Sequence, residues 1–199
     1  MGYKLYQFDL IKKFHKEFLY DCKLLNNLLV NEDFKEQIKK GEDLTWLYPH
    51  YNVFYHTSNN FLFYELFKYL VFCIKDFIKP TKPIWMQCWL NYHEGNKVTE
   101  IIGEKKGFHS HSLDYHGYVS IDPQDTTTIF KNNLKIKNKI GQIYLGPGQN
   151  IDKNGGWEHY VKINSPYTTP RITLGFDITY GLLHNNKHYV PSPSFIPII

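Results

Sequence analysis

Two hydrophobic periods divide this chain, and the change between them falls close to Pro83. Before it, Phe8, Ile11, Phe14, Phe18, Cys22 and Leu25 recur every three or four residues, which predicts one apolar stripe along a helix. Asn31 to Lys40 predicts a shorter helix that ends near Gly41. Asn60 followed by FLFYELFKYLVFCIKDFI predicts a second long helix, stopped by Pro80 and Pro83. That helix is apolar nearly all round, as a helix laid against a sheet would be. Its aromatic residues therefore belong to a core rather than to a cofactor site.

Beyond Pro83, short β-branched and aromatic runs alternate with clusters of Gly, Asn, Asp and Pro. IWMQCWLNY, the 108–113 region, GYVSID, TTTIF, GQIYLG, HYVKI and RITLGFDIT predict strands without intervening helices, the pattern of a sandwich or barrel. Helices first and strands afterwards predict an α+β fold. No internal repeat or linker interrupts the sequence, so residues 1–199 are expected to form one domain. Its parts are a helical segment over 1–80, a β core over 84–179 and a C-terminal tail over 180–199. The tail ends VPSPSFIPII, proline-rich and apolar. It is expected to pack on the body or on a second subunit, which leaves a homodimer open.

Composition narrows the class. A chain of 199 residues is long enough for one domain with a substantial core. With 42% hydrophobic and 21% charged residues, wholesale disorder is excluded. Cys22, Cys73 and Cys88 are too few and too scattered for a disulfide framework or a CxxC metal site. MGYKLYQFDL has no basic segment followed by an apolar one, and the run Phe61 to Ile74 carries Glu65 and Lys68. Neither a secretory signal nor a membrane span is expected, and a reduced, cytoplasmic setting follows. The net charge of +4 is modest and the lysines are dispersed, so nucleic acid is not singled out as a partner. Alanine is absent and lysine, asparagine and isoleucine abound, as an AT-rich coding sequence would produce. Against that background Arg171, the sole arginine, is conspicuous.

The candidate chemistry lies in GFHSHSLDYHG and in two later strands. In an extended strand residues two apart share a face, so His109 and His111 would present two imidazoles together as a metal clamp. His159, in GWEHYVKI, would add a third from a distant strand, leaving the other positions of the ion open. In PRITLGFDIT, Ile172, Leu174, Phe176 and Ile178 form an apolar face while Arg171, Thr173 and Gly175 point the other way. A guanidinium on an inner face needs an anion, and its planar fork matches a carboxylate, from a ligand or from the protein. Thr173 would add a hydroxyl to the same carboxylate.

HSHSLDYHGYVSID, GQIYLGPG, WEHYVKI and RITLGFDI, in that order, resemble the core strands of the 2-oxoglutarate- and iron(II)-dependent dioxygenases over about residues 84–179. The branch most similar carries H-x-H-P-x-x-x-x-S-G-V-x-Y, preceded by W-x-N and a glycine. Trp89–Asn91 match W-x-N, and Gly95 the glycine. The resemblance implies a double-stranded β-helix, a cupin-like jelly roll, with the N-terminal helices packed on one sheet. It also implies iron(II) on His109 and His159, and 2-oxoglutarate as cosubstrate with its distal carboxylate on Arg171 and Thr173. Asn91 would be a further cosubstrate contact. Most of the superfamily has H-x-D or H-x-E where this chain has His111. The third ligand is therefore His111, which is favoured, or Asp114 if the strand turns there. His116 and Tyr118 replace the usual Ser and Val, either shaping the mouth of the pocket or serving as polar strand residues.

The implied reaction hydroxylates a substrate while 2-oxoglutarate and O2 become succinate and CO2. Its primary substrate, whether a protein residue, a metabolite or a nucleobase, is not written in the sequence. One alternative is a cupin-type metal dioxygenase with three histidines, like the thiol dioxygenases, that does not use 2-oxoglutarate. Another is a non-catalytic metal-binding jelly roll. Cupins commonly place Glu within a few residues of H-x-H, which this sequence does not, and Arg171 follows the distal histidine. Both points favour 2-oxoglutarate.

Overall fold

The computed structural model describes residues 2–42, 44–95, 107–180 and 194–198. The N-terminal part opens with a strand, β1 (Lys4–Gln7), before α1 (Leu10–Lys13) and α2 (His15–Leu28). The expected single helix is broken at Phe14, whose φ of −117° and ψ of 42° are not helical. The apolar stripe nevertheless runs on across the break, with Ile11, Phe18, Cys22 and Leu25 all buried. The predicted 31–40 helix is a π-helical turn (Leu29–Asp33) followed by α3 (Lys35–Lys39). It is followed by Gly41 at φ +89°, a conformation that favours glycine. A 3-10 segment (Leu44–His50), α4 (Val53–His56) and α5 (Phe61–Ile78) complete the helices. Asn60 caps α5 by accepting hydrogen bonds from the amides of Leu62 and Phe63. Only one face of α5 is buried, through Phe63, Leu66, Leu70, Ile74 and Ile78, whereas Phe61, Tyr64 and Phe72 are exposed.

Eight further strands follow among the described residues: β2 (Ile84–His93), β3 (Tyr115–Asp122), β4 (Thr126–Phe130), β5 (Lys135–Lys137), β6 (Gln142–Pro147), β7 (His159–Ile163), β8 (Arg171–Thr179) and β9 (Phe195–Ile198). They form a six-stranded sheet, β1-β6-β3-β8-β2-β9, and a three-stranded sheet, β5-β4-β7. Each of these pairings is antiparallel. Helices with antiparallel sheets make this an α+β arrangement. The described part of the tail packs on the body as β9, paired with β2 at the edge of the large sheet. One expected strand is missing: in the 108–113 region only His109 pairs, through an isolated bridge to His159. Cys22, Cys73 and Cys88 are free and buried, and burial pushes the Cys73 thiol up to about 12. Among the described residues no helix is long and apolar enough to cross a membrane.

Period-two alternation gives the large sheet two unlike faces. Met86, Leu90, Ile143, Leu174 and Phe176 join the buried side chains of α2 and α5 in one core. The opposite face meets the small sheet, where Phe130 and Ile136 pack against Tyr144. Helices thus cover only the outside of one sheet, and the interior between the sheets is left to other chemistry.

Asn52 ties these layers together. Its Oδ1 accepts from the amide of Phe54 as the cap of α4, and its Nδ2 donates to the carbonyls of Met86 at 3.1 Å and Ser194 at 2.7 Å. The residue is 1% exposed, so no solvent replaces those partners. Asn52→Ala removes the cap and takes a donor from two carbonyls, an expected loss on the order of 2–4 kcal/mol. Urea unfolding measures it, and a loss below about 0.5 kcal/mol would show that the side chain holds nothing.

Candidate metal centre

The main chains of His109 and His159 exchange both N–H···O=C bonds, at 3.0 Å each. Such a reciprocal antiparallel pair sets two side chains next to each other, and the imidazole centroids lie 4.4 Å apart. His111 lies in irregular chain just before a bend at Leu113 and Asp114, not in an extended strand, so the two-apart rule does not apply to it. Its position is fixed by the loop after β6. The Gln149 amide donates to the His111 carbonyl at 2.8 Å, and the Gly148 amide to that of Asp114 at 2.8 Å. A Cβ at Gly148 would collide with the Leu113 carbonyl, so that crossing requires glycine. The His111 ring then lies 5.4 Å from that of His109 and 5.3 Å from that of His159.

One ring nitrogen from each of the three histidines falls within 4.8 Å of the others. Imidazole binds transition metals at roughly 2.0–2.1 Å, so donors on one ion stand at most about 4.2 Å apart, and a small inward adjustment of these rings would suit an ion such as iron or zinc. Burial holds His159 well below the ordinary imidazole value, and positive charge on His111 or His109 would add to that effect. His109, whose edge reaches solvent, is lowered to about 4 by desolvation first and by His111 second, against an opposite pull from Asp177. Neutral rings offer lone pairs near pH 7, as metal binding requires.

Around the three rings the interior is unusually polar. His116 is 1% exposed, stacks on His111 at 4.5 Å and 14°, and lies 5.2 Å from His159. Among the described residues neither of its ring nitrogens has a hydrogen-bond partner. Nδ1 of His111 is 2.8 Å from Oδ1 of Asp177, which β8 directs inward. Trp89 stacks on His111 at 6.0 Å and covers Gly175 so closely that no Cβ could stand there. Asp114, the alternative third ligand, accepts from Thr179 Oγ1 and the Tyr180 amide instead and stands outside the cluster. Tyr118 donates to Asn138 across the sandwich, which makes it part of the interior and not of a mouth.

Arg171 opens β8 on the same inward face. Asn91, cross-strand from Thr173, donates to its hydroxyl at 3.4 Å. Enclosure by protein lowers the Arg171 pKa, and the nearby Tyr167 hydroxyl works against that. Among the described residues no carboxylate pairs with this guanidinium. Arg171 and Asp177 are six residues apart on one strand, about 20 Å from Cα to Cα. Sequence reasoning did not single out Asp177 or Tyr167 and read His116 only as a strand residue or a lip of the pocket. For Asp177 the signal was present: it continues the inward series Arg171, Thr173, Gly175 in a strand that is otherwise apolar.

No protein-family model matches this chain, and no curated protein does. Among solved structures, two crystal structures of one Neurospora crassa protein are similar to part of it. Its C-terminally truncated apo form matches with a TM-score of 0.31 and 10% identity, over 45% of this chain and 34% of that one. Its full-length form in complex with alpha-KG matches with a TM-score of 0.34 and 10% identity, over 54% and 36%. This chain therefore spans about a third of the length of those structures. At such distance, what its site does rests on its own residues.

Burial of neutral imidazoles has a consequence for the metal-free protein. Unfolded histidines titrate near pH ~6.5, whereas His116 and His159 in the fold titrate far lower. Over that interval the unfolded chain binds more protons, so stability is full above about pH 6.5 and falls as the solution is acidified. The urea midpoint is expected to be lower at about pH 5 than at about pH 7.5. A flat profile contradicts the buried neutral rings.

Proposed function

We propose that this chain is a 2-oxoglutarate- and iron(II)-dependent dioxygenase that hydroxylates an as yet unidentified substrate. The supporting observation is three converging imidazoles and, farther along the same inward face of β8, an arginine that has no carboxylate partner among the described residues. A double-stranded β-helix is the fold proposed with it. The strand order β2-β8-β3-β6 facing β7-β4-β5 supports that reading, with residues 107–111 beside β7 in the place of a further strand.

In this proposal His109, His111 and His159 hold the ion from one side and leave its remaining positions to small ligands. Iron(II), when bound, supplies the redox chemistry that couples oxidative decarboxylation of 2-oxoglutarate to hydroxylation. Arg171 receives the distal carboxylate in two parallel hydrogen bonds and so fixes the register of the cosubstrate. The Thr173 hydroxyl and the Tyr167 hydroxyl beside Arg171 are donors to the same group, and Asn91 orients Thr173. Trp89 stacked on His111 and Phe130 tilted against His159 shield those two rings from bulk water, while His109 faces the open side.

One observation favours a second function, a three-histidine metal dioxygenase of cupin type that does not use 2-oxoglutarate. The Trp89 indole lies across Gly175, between the level of the three histidines and that of Arg171. The two proposals part on cosubstrate binding, and share the metal.

His159→Ala is expected to abolish stoichiometric iron(II) uptake under nitrogen while the far-UV circular dichroism stays unchanged. Retention of iron by that variant would remove the metal centre from the proposal. Arg171→Lys keeps the charge but loses the two-pronged match. In a 2-oxoglutarate titration of iron-loaded protein, its affinity should fall about tenfold or more, equivalent to roughly 1.4 kcal/mol or more. Equal binding curves would retire 2-oxoglutarate and leave the three-histidine alternative.

A further inference from the structure

Asp177 belongs to none of the roles above, yet it is buried, ionisable and aimed at the cluster. It is 6% exposed and sits on β8 opposite His116 on β3. Among the described residues its only side-chain partner is His111, at 2.8 Å from Oδ1 to Nδ1. No lysine or arginine among them pairs with it, although a lone buried carboxylate is costly. Strand register accounts for its reach: Gly175 precedes it under Trp89, and Thr179 beyond it is taken up by Asp114.

We propose that Asp177 is the positioning residue of the metal centre, accepting a hydrogen bond from Nδ1–H of His111 so that Nε2 is the nitrogen offered to the ion. This rests on the metal reading given above. Three neutral imidazoles bring no charge to a dication, whereas the common H-x-D or H-x-E arrangement brings one carboxylate. Here the carboxylate stands one hydrogen bond behind the ligand. It locks the ring's tautomer and rotation, raises the basicity of Nε2 and returns a negative charge to the site. Trp89 and His116 both stack on the same ring, which restricts rotation about its side-chain bonds. Asp177 touches neither the ion nor a substrate in this role.

The first test needs no variant at position 177. In metal-free protein labelled with 15N-histidine, at about pH 8, long-range proton–nitrogen correlation should find His111 as the Nδ1–H tautomer. The signal is assigned by its loss in His111→Gln. An Nε2–H tautomer overturns the proposal. The second test titrates cobalt(II) into wild type, Asp177→Asn and Asp177→Glu under nitrogen, read by visible absorption. Asp177→Asn should bind about 10–100-fold more weakly, and Asp177→Glu should recover part of that loss. Equal affinity of wild type and Asp177→Asn overturns the role of Asp177 alone. Wild type that takes up no cobalt(II) overturns the metal reading itself, and this proposal with it. Should Asp177→Asn fail to fold, the wild-type tautomer still decides.

Discussion

The reciprocal pair of main-chain hydrogen bonds between His109 and His159 is the joint on which the site depends. It attaches a short non-strand segment to the edge of the three-stranded sheet, and about six residues later the same segment has become β3 of the six-stranded sheet. Within that crossing the chain delivers His109, His111 and His116 to one interior, while His159 comes from the opposite partner. Lose the joint and the imidazoles of two different strands no longer share a neighbourhood. The loop after β6 acts as its second fastening, since Gly148 and Gln149 hold the backbone of the crossing from the other side.

Such an interior is expensive. His116, Ser120 and Tyr144 bury polar atoms that have no partner among the described residues, and each such atom costs roughly 1–3 kcal/mol. The large sheet offsets this on its other face, where β-strand side chains and the helices α2 and α5 form one continuous apolar core. One strand can serve both sides because its side chains alternate: Ile172, Leu174 and Phe176 face the helices, and Arg171, Thr173 and Asp177 face the site. Conflict between local preference and burial is thereby concentrated where chemistry is proposed, and absent where only packing is needed.

This division explains what could be read from the sequence. Alternation in β8 and the three- and four-residue spacing of α2 are local signals, and they located the strand, the helix and the polarity of each face. His109 and His159 were legible as converging donors, from the H-x-H spacing and from the place of His159 at the start of a later strand. The main-chain joint that brings them together was not, since it links residues fifty apart in the chain. β1 and β5 lack a hydrophobic run of their own and exist because β6 and β4 offer edges to pair with. Likewise nothing local marks 107–113 as irregular; the loop carrying Gly148 occupies the space a straight strand would need. Asp177 shows the opposite failure, a residue whose inward face was predictable and whose partner was not.

The inner face of β8 also limits what can bind. His111 stacks on Trp89 and His116, which stand cross-strand from Gly175 and Asp177, so the imidazoles sit level with that end of the strand. Arg171 begins four residues before Gly175, a backbone span of about 13 Å. A guanidinium stem extended toward the cluster would shorten that gap. In the proposed reading the remainder would be spanned by a short ligand that chelates at one end and carries an anion at the other, with the Asp177 carboxyl group behind the metal end and the Arg171 guanidinium at the far end. The Trp89 ring over Gly175 lies along that path. Its orientation, rather than the presence of the arginine, therefore decides whether a ligand reaches both ends of the strand at once.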